Sequence, residues 1–244
     1  MAGRNAVLES LRALVPAQAL HVGPRLDADD RINEAIKLAA DQGITVAEAG
    51  RAELDRMTGG AVHQGLALRI RPYKYAHPDD LIGTAAKSGH PPLIVALDGI
   101  TDPRNLGAVA RSVAALGGDG VLIPVRRSAG VTAGAWKASA GALAKVPVAQ
   151  ASNLSRALAA YAQAGLFVVG LDAGAQNDLG SLALADSPLV LVIGSEGKGL
   201  SRLVGQQCDA LVRIPIDGAE SLNAAVAAGI ALYVVSRLRA GEPG

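Results

Sequence analysis

The sequence predicts an α/β protein in two parts, a small N-terminal α/β domain followed by a larger one built on a parallel sheet. Three observations carry that expectation. Between residues 7 and 70, short segments of helical and strand periodicity alternate. Between 71 and 92 the pattern breaks at Pro72, Pro78, Pro91 and Pro92. From residue 93 onward, uninterrupted apolar runs such as Leu93–Leu97 recur, as in strands buried on both faces of a parallel sheet.

In chain order, Val7, Leu8, Leu11 and Leu14 repeat at helical spacing, with Asn5 as the expected cap. Ala19–Val22 reads as a strand, and Arg31–Ala40 as a helix with Ile32, Ala35, Ile36 and Ala39 on one face. Ile44–Ala47 reads as a strand, Glu53–Met57 as a short helix and Leu66–Ile70 as a strand. These elements form an expected first domain over residues 1–72, enough chain to fold alone. Residues 73–90 are expected to be a linker with a short helix near Leu81–Lys87. The second domain, 91–244, opens on the strand Leu93–Leu97 and a helix marked by Val109, Val113 and Leu116. Further strands are expected at Val121–Pro124, Val146–Ala149, Leu166–Leu171, Leu189–Ile193 and Leu211–Ile216. Helices are expected over Ala133–Ala140, Leu154–Ala164 and Ser221–Arg239.

Composition narrows the function classes. Half of the 244 residues are hydrophobic but only 2% are aromatic, so the core is aliphatic and recognition by rows of stacking rings is disfavoured. The formal charge of +1 means that any nucleic-acid contact must come from local patches. The lone Cys208 excludes an internal disulfide framework. His21, His63, His77 and His90 lack ligand spacing, so no metal is expected. No signal-peptide pattern and no membrane-length apolar run is present, and a soluble cytoplasmic protein is expected.

Three segments carry polar residues that helix and strand patterning does not account for. In Asp102-Pro103-Arg104-Asn105, after a buried strand, Asp102 and Pro103 suit a helix start, but Asn105 and Arg111 stand out on an otherwise small and apolar helix. Gly194-Ser-Glu-Gly-Lys-Gly-Leu200 is neither a Walker A loop nor a dinucleotide fingerprint. Its glycines admit close backbone approach to a ligand, and Glu196 suits one with amine or hydroxyl groups. In Ile214-Pro-Ile-Asp-Gly-Ala-Glu-Ser-Leu-Asn223, Ser221 is placed to cap the last helix, whereas Asn223 is not explained by capping.

In this order and separation the three segments resemble the motifs of the SpoU/TrmH family of RNA ribose 2′-O-methyltransferases. Ser139-Ala-Gly-Ala142 followed by Val146-Pro147-Val148 fits the same family, and Gly3-Arg-Asn-Ala-Val-Leu-Glu-Ser-Leu11 with His63-Gln-Gly65 resembles its RlmB-like branch. One departure is that Asp217-Gly-Ala-Glu220 is a residue shorter than in many relatives. The resemblance implies an L30e-like RNA-binding domain, then a SPOUT catalytic domain with a deep trefoil knot, a structure that general folding rules make very rare. It also implies an obligate homodimer with active sites near the subunit interface, and S-adenosylmethionine (SAM) as cofactor. The expected cofactor-binding residues are Leu171, Gly194, Glu196, Gly197, Ile214, Ile216, Leu222 and Asn223. The expected catalytic residues are Arg111, Asn105, Glu196, Ser221 and Asn223.

The implied reaction is attack of a ribose 2′-hydroxyl on the SAM methyl group, most like that on a guanosine in the peptidyl-transferase loop of 23S rRNA. A guanidinium is not normally deprotonated, so Arg111 is expected to bind the target phosphate and orient or acidify the hydroxyl while the other four residues shape the pocket and hold it. RNA contact is expected from Arg4, Asn5, Arg69, Arg71, Lys74, Arg104, Arg126 and Arg127, with 23S rRNA or a pre-ribosomal particle as partner. The same chemistry on tRNA or another rRNA site stays open, as does a non-catalytic ribosome-assembly factor.

Overall fold

The computed structural model describes residues 1–24, 29–218 and 221–241. It contains two compact units, Met1–Lys74 and Tyr75–Gly244.

The first unit runs α1 (Arg4–Arg12), β1 (Ala17–Val22), α2 (Asp30–Asp41), β2 (Thr45–Glu48), α3 (Arg51–Thr58) and β3 (Leu66–Ile70). Its sheet has the order β2-β1-β3, with β2 parallel and β3 antiparallel to β1. Val7 and Leu11 of α1 pack with Leu20, Leu66 and Leu68 of the sheet and with Ile32 and Ala35 of α2. Asn5 lies inside α1 rather than capping it, because the N-cap is Gly3. Leu14 leaves the apolar face: it is 62% exposed, past the helix end, at φ +55°. The segments around Gly3 and Gln64 meet in space. Gly3 N donates to Leu66 O (3.1 Å), Arg4 N to Gln64 Oε1 (3.2 Å) and Arg4 Nε to Gln64 O (3.2 Å).

The second unit runs α4 (Pro78–Ala85), β4 (Leu93–Leu97), α5 (Pro103–Ala115), β5 (Gly120–Pro124), α6 (Ala133–Ser139), β6 (Val148–Ala151) and α7 (Leu154–Gln163). It continues through β7 (Phe167–Leu171), β8 (Asn177–Asp178), β9 (Leu189–Ile193), α8 (Arg202–Gly205), β10 (Ala210–Arg213) and α9 (Ala224–Arg239). The sheet order is β6-β5-β4-β9-β7-β10-β8, parallel throughout. Every residue of β4 and β9 is buried, as their unbroken apolar runs require.

Three departures from the sequence reading have backbone causes. Part of the stretch read as a linker from 73 to 90 is packed: Ala76 bridges Ala149, Leu81 and Ala85 of α4 are buried, and the Tyr161 hydroxyl donates to Pro78 O at 2.7 Å. Pro78 sits in the first turn of α4, where its missing N–H costs nothing, so the proline that looked like a breaker starts a helix. The strand expected at Val146–Ala149 begins at Val148, because Pro147 offers no N–H and Val146 N bonds back to Ala142 O. The strand expected at Leu211–Ile216 ends at Arg213, two residues before Pro215.

α9 closes the unit. Near its last residue, the Arg239 guanidinium donates to the carbonyls of Ala185, Pro91, Pro92 and Ser187 at 2.6–3.2 Å, around the starts of β4 and β9. Half-burial lowers the pKa of this guanidinium from its ordinary value.

Candidate active site

The cavity of interest opens where β7, β9 and β10 end. It encloses about 300 Å³, and its wall combines apolar side chains with strand-end backbone: Leu171 and Asp172 after β7, Ile193–Gly197 after β9, and Ile214, Ile216, Ser221 and Leu222 after β10. Of the eight expected cofactor residues, seven line it; Asn223 lies in the small pocket next to it. Asp172, Ser195 and Ala227 also line the cavity and had not been singled out. The signal for Asp172 is an acidic residue directly after a buried strand, the position where α/β sheets present ligand groups.

The turn after β9 is held by a reciprocal pair, Ser195 N to Gly199 O (3.1 Å) and Gly199 N to Ser195 O (2.9 Å). Gly197 and Gly199 take φ of +76° and +63°, a conformation that favours glycine. A Cβ on Gly194 would lie 2.2 Å from the carbonyl carbon of Gly199, so the turn folds directly back over that residue.

Glu196 rises from this turn into a set of three donors. Its Oε1 accepts from Asn223 Nδ2 (2.6 Å), Asn105 Nδ2 (3.2 Å) and Ala224 N (3.4 Å). Asn223 Nδ2 also donates to Asn105 Oδ1 at 3.1 Å, so Asn105, Glu196 and Asn223 form a closed triangle. The carboxylate sits at the amino end of α9, where the helix dipole favours negative charge.

Asn223, not Ser221, is the N-cap of α9: its Oδ1 accepts from Ala225 N (3.0 Å) and Val226 N (3.3 Å). Ser221 lies two residues before the cap, in the wall of the cavity. The short stretch between Asp217 and Ser221 includes Ala219 and Glu220, which lie outside the described residues.

The helix carrying Asn105 is seated by two features. Asp102 caps it, accepting from Arg104 N at 2.8 Å, and this bond with the Arg104 side chain lowers the Asp102 pKa. Gly107 lets α5 press on α6, since a Cβ there would lie 2.2 Å from Ala135 O. Arg111, further along α5, is exposed and lines neither pocket. Among the described residues it has no hydrogen bond or ion pair. The triangle therefore does not hold Arg111 within its own chain, contrary to the sequence expectation.

The residues expected at RNA separate into two groups. Arg4 pairs with Asp29 at 2.7 Å, Asn5 accepts from Arg31 Nη1 at 3.0 Å and Arg104 pairs with Asp102 at 3.1 Å, so all three have structural occupations. Arg69, Arg71, Lys74, Arg126 and Arg127 are exposed.

A parallel sheet whose carboxyl edge forms a mostly apolar cleft around a tethered carboxylate defines a class, an α/β enzyme that holds a polar small molecule. Comparison with known proteins takes the class to a family. Residues 92–233 match the SpoU rRNA methylase family, and residues 2–76 match the RNA 2′-O ribose methyltransferase substrate-binding domain. An uncharacterized tRNA/rRNA methyltransferase of Mycobacterium avium (strain 104) is 61% identical over 241 residues, covering 98% of this chain and 77% of its own length. The SpoU methyltransferase AviRb from Streptomyces viridochromogenes, solved in complex with the cofactor AdoMet, is 25% identical with a TM-score of 0.70, over 99% of this chain and 90% of that one. An AdoMet-bound rRNA methyltransferase from Sinorhizobium meliloti is also 25% identical, with a TM-score of 0.66 over 98% and 86% of the two chains. The chain belongs to the SpoU family of RNA methyltransferases.

Proposed function

We propose that the protein transfers the methyl group of SAM to a ribose 2′-hydroxyl of RNA, with a guanosine in the peptidyl-transferase loop of 23S rRNA as its substrate. The observation that carries this reading is the Glu196 triangle, which stands where the cleft after β7, β9 and β10 adjoins a small polar pocket. Glu196 and Ser195 line both.

The cleft's chemistry fits SAM. Leu171, Ile193, Ile214, Ile216 and Leu222 offer apolar contact to a purine, and the backbone of the glycine turn offers donors and acceptors to its polar edge. Asp172 adds a carboxylate suited to hydroxyl or amine donors. When bound, SAM supplies an electrophilic methyl group on its sulfonium.

The chain's own residues supply placement. Glu196, held through one oxygen by three donors, keeps the second for a substrate hydroxyl or cofactor amine. Thr101 and Asn105 line the adjoining pocket and orient a ribose there. Holding two reactants in an attack geometry is worth up to about 7–11 kcal/mol of barrier. Arg111 binds the target phosphate and acidifies the hydroxyl, whose proton leaves to that phosphate or to water.

Arg111 is exposed and lines neither pocket of its own chain, which favours a homodimer in which Arg111 of one protomer completes the site of the other. Val226 and Tyr233, seven residues apart on α9, are 49% and 52% exposed and suit an interface. In this reading residues 1–72 bind RNA through Arg69 and Arg71, 73–90 connect the domains and add Lys74 to the contact, and 91–244 catalyse. The chain beyond Gly194 is the knotted segment, for which Gly194 and Gly170 leave room.

The test is a map of ribose 2′-O-methylation in rRNA and tRNA from a strain lacking the gene, with purified protein and labelled SAM as the complement. Loss of one methylated guanosine in the peptidyl-transferase loop, restored by the protein, is expected. A missing methyl elsewhere moves the target. An unchanged map with no transfer in vitro removes the enzymatic reading.

A further inference from the structure

On the other side of the Ser195–Gly199 turn lies a second cavity of about 480 Å³. It opens at the ends of β4, β5 and β6, between Asp98 and Gly99, Arg126 and Arg127, and Asn153–Ser155, and is completed by Lys198–Ser201 and by Leu203 and Val204 of α8. Neither its charge nor its apolar wall is used by the reaction described above.

Arg126, Arg127 and Lys198 line this cavity, and among the described residues none has a hydrogen bond or ion pair. The carboxylate lining it, Asp98, is occupied by Ser201 N at 2.6 Å. The surplus of positive charge is therefore free to meet an anion. Arg127 holds a left-handed backbone at φ +57°, a conformation unfavourable for a non-glycine residue, which marks a position held by its surroundings. Leu154, Leu200, Leu203 and Val204 form an apolar wall, and Leu203 leaves 57% of its surface to solvent. An apolar wall with cations beside it fits a nucleotide: the base lies on the wall and the phosphate meets the cations.

Position ties the cavity to the reaction. Ser195 lines the cofactor cleft, the small pocket and this cavity, and Gly99 and Thr101 line the last two. A Cβ on Gly99 would lie 3.6 Å from that of Ser195, so one residue's thickness separates the chambers. A ribose seated beside Glu196 thus has its neighbour in the strand at the mouth of the basic cavity.

We propose that this cavity seats an unpaired RNA nucleotide adjoining the methylated one, with its phosphate on Arg126, Arg127 and Lys198 and its base against Leu154, Leu200 and Leu203. The proposal rests on the ribose-methylation reading for the identity of the neighbouring nucleotide. The charge and shape of the cavity stand without it.

The test uses the full chain, a labelled single-stranded oligouridylate as probe, and calorimetric titration of SAM. The double variant Arg126→Ala/Arg127→Ala should bind the probe roughly tenfold or more weakly, as expected for lost charge-assisted contacts. Its log-affinity against log-salt slope should fall by up to about 0.7, the value for one phosphate contact to a single strand. SAM affinity should be unchanged, the KM for RNA should rise, and kcat should hold. Lysine at both positions should restore the slope. Leu203→Ser should weaken binding with the slope intact, which separates base from phosphate. Wild-type affinity, slope and KM in the double variant overturn the proposal even if methylation is normal. If instead the parent methylates no ribose but the double variant loses affinity and slope, the cavity is a nucleotide site and the enzymatic reading is the one that falls.

Discussion

The Asn223 amide uses both of its ends. Its oxygen accepts from the first turn of α9, and its nitrogen donates to Glu196 and Asn105. Replacement by aspartate keeps a strong cap, so the fold should survive with a melting temperature close to the parent's. It also sets a second carboxylate against Glu196, across what is now a 2.6 Å hydrogen bond. Two like charges at that range raise the pKa of one above the ordinary carboxylate range, so the tolerable protonated form gains as pH falls. Methyl transfer by Asn223→Asp should be roughly tenfold or more below the parent at pH 8, with the gap narrowing towards pH 6. A deficit independent of pH would show that charge is not the cause. Ser221 had looked the better cap because both residue types cap well and local sequence does not separate them. The choice is made by Glu196, a partner 27 positions away.

Among the elements, α5 depends on one missing atom. Its close approach to α6 passes over Gly107, where a Cβ would meet the Ala135 carbonyl oxygen at 2.2 Å. Backbone cannot yield as a side-chain tip does, so Gly107→Ala should cost about 1–3 kcal/mol in urea unfolding and displace Asn105, two residues before it, weakening SAM binding as well. Normal stability and affinity together would mean that the helices separate freely. Elements of this kind were legible where one physical term dominated. Leu66–Ile70, Leu93–Leu97 and Leu189–Ile193 were read with their observed ends, because strands with few polar residues declare their burial. Prolines were harder to read. Pro147 and Pro215 shift or end the strands near them, and Pro78 starts a helix, since the residue forbids a donor without saying which element lacks one.

At the scale of the whole molecule, three segments distant in sequence converge because of strand order. β4 and β9 are neighbours, whereas β10 is separated from β9 by β7. The segment after β10 must therefore cross back to set Asn223 against Glu196. Sequence periodicity carries no information on that order, so the members of the site were legible but their triangle was not. Nor was the isolation of Arg111, which only the folded chain reveals. If Arg111 acts across a dimer, Arg111→Ala and Glu196→Gln should each be inactive, yet mixing and exchanging their subunits should recover activity. Half the dimers are then mixed, each with one intact site, giving about a quarter of the parent rate. A site complete within one chain would recover none. The Arg239 clamp has a consequence of a genetic kind. α9 is a strut of about 24 Å with the Asn223 cap at one end and Arg239, bound to four carbonyls, at the other. An allele that loosens Arg239 should leave cells methylating their RNA when cool and failing to do so when warm. In a screen it would look like a defect of the pocket, although its lesion lies at the far side of the sheet.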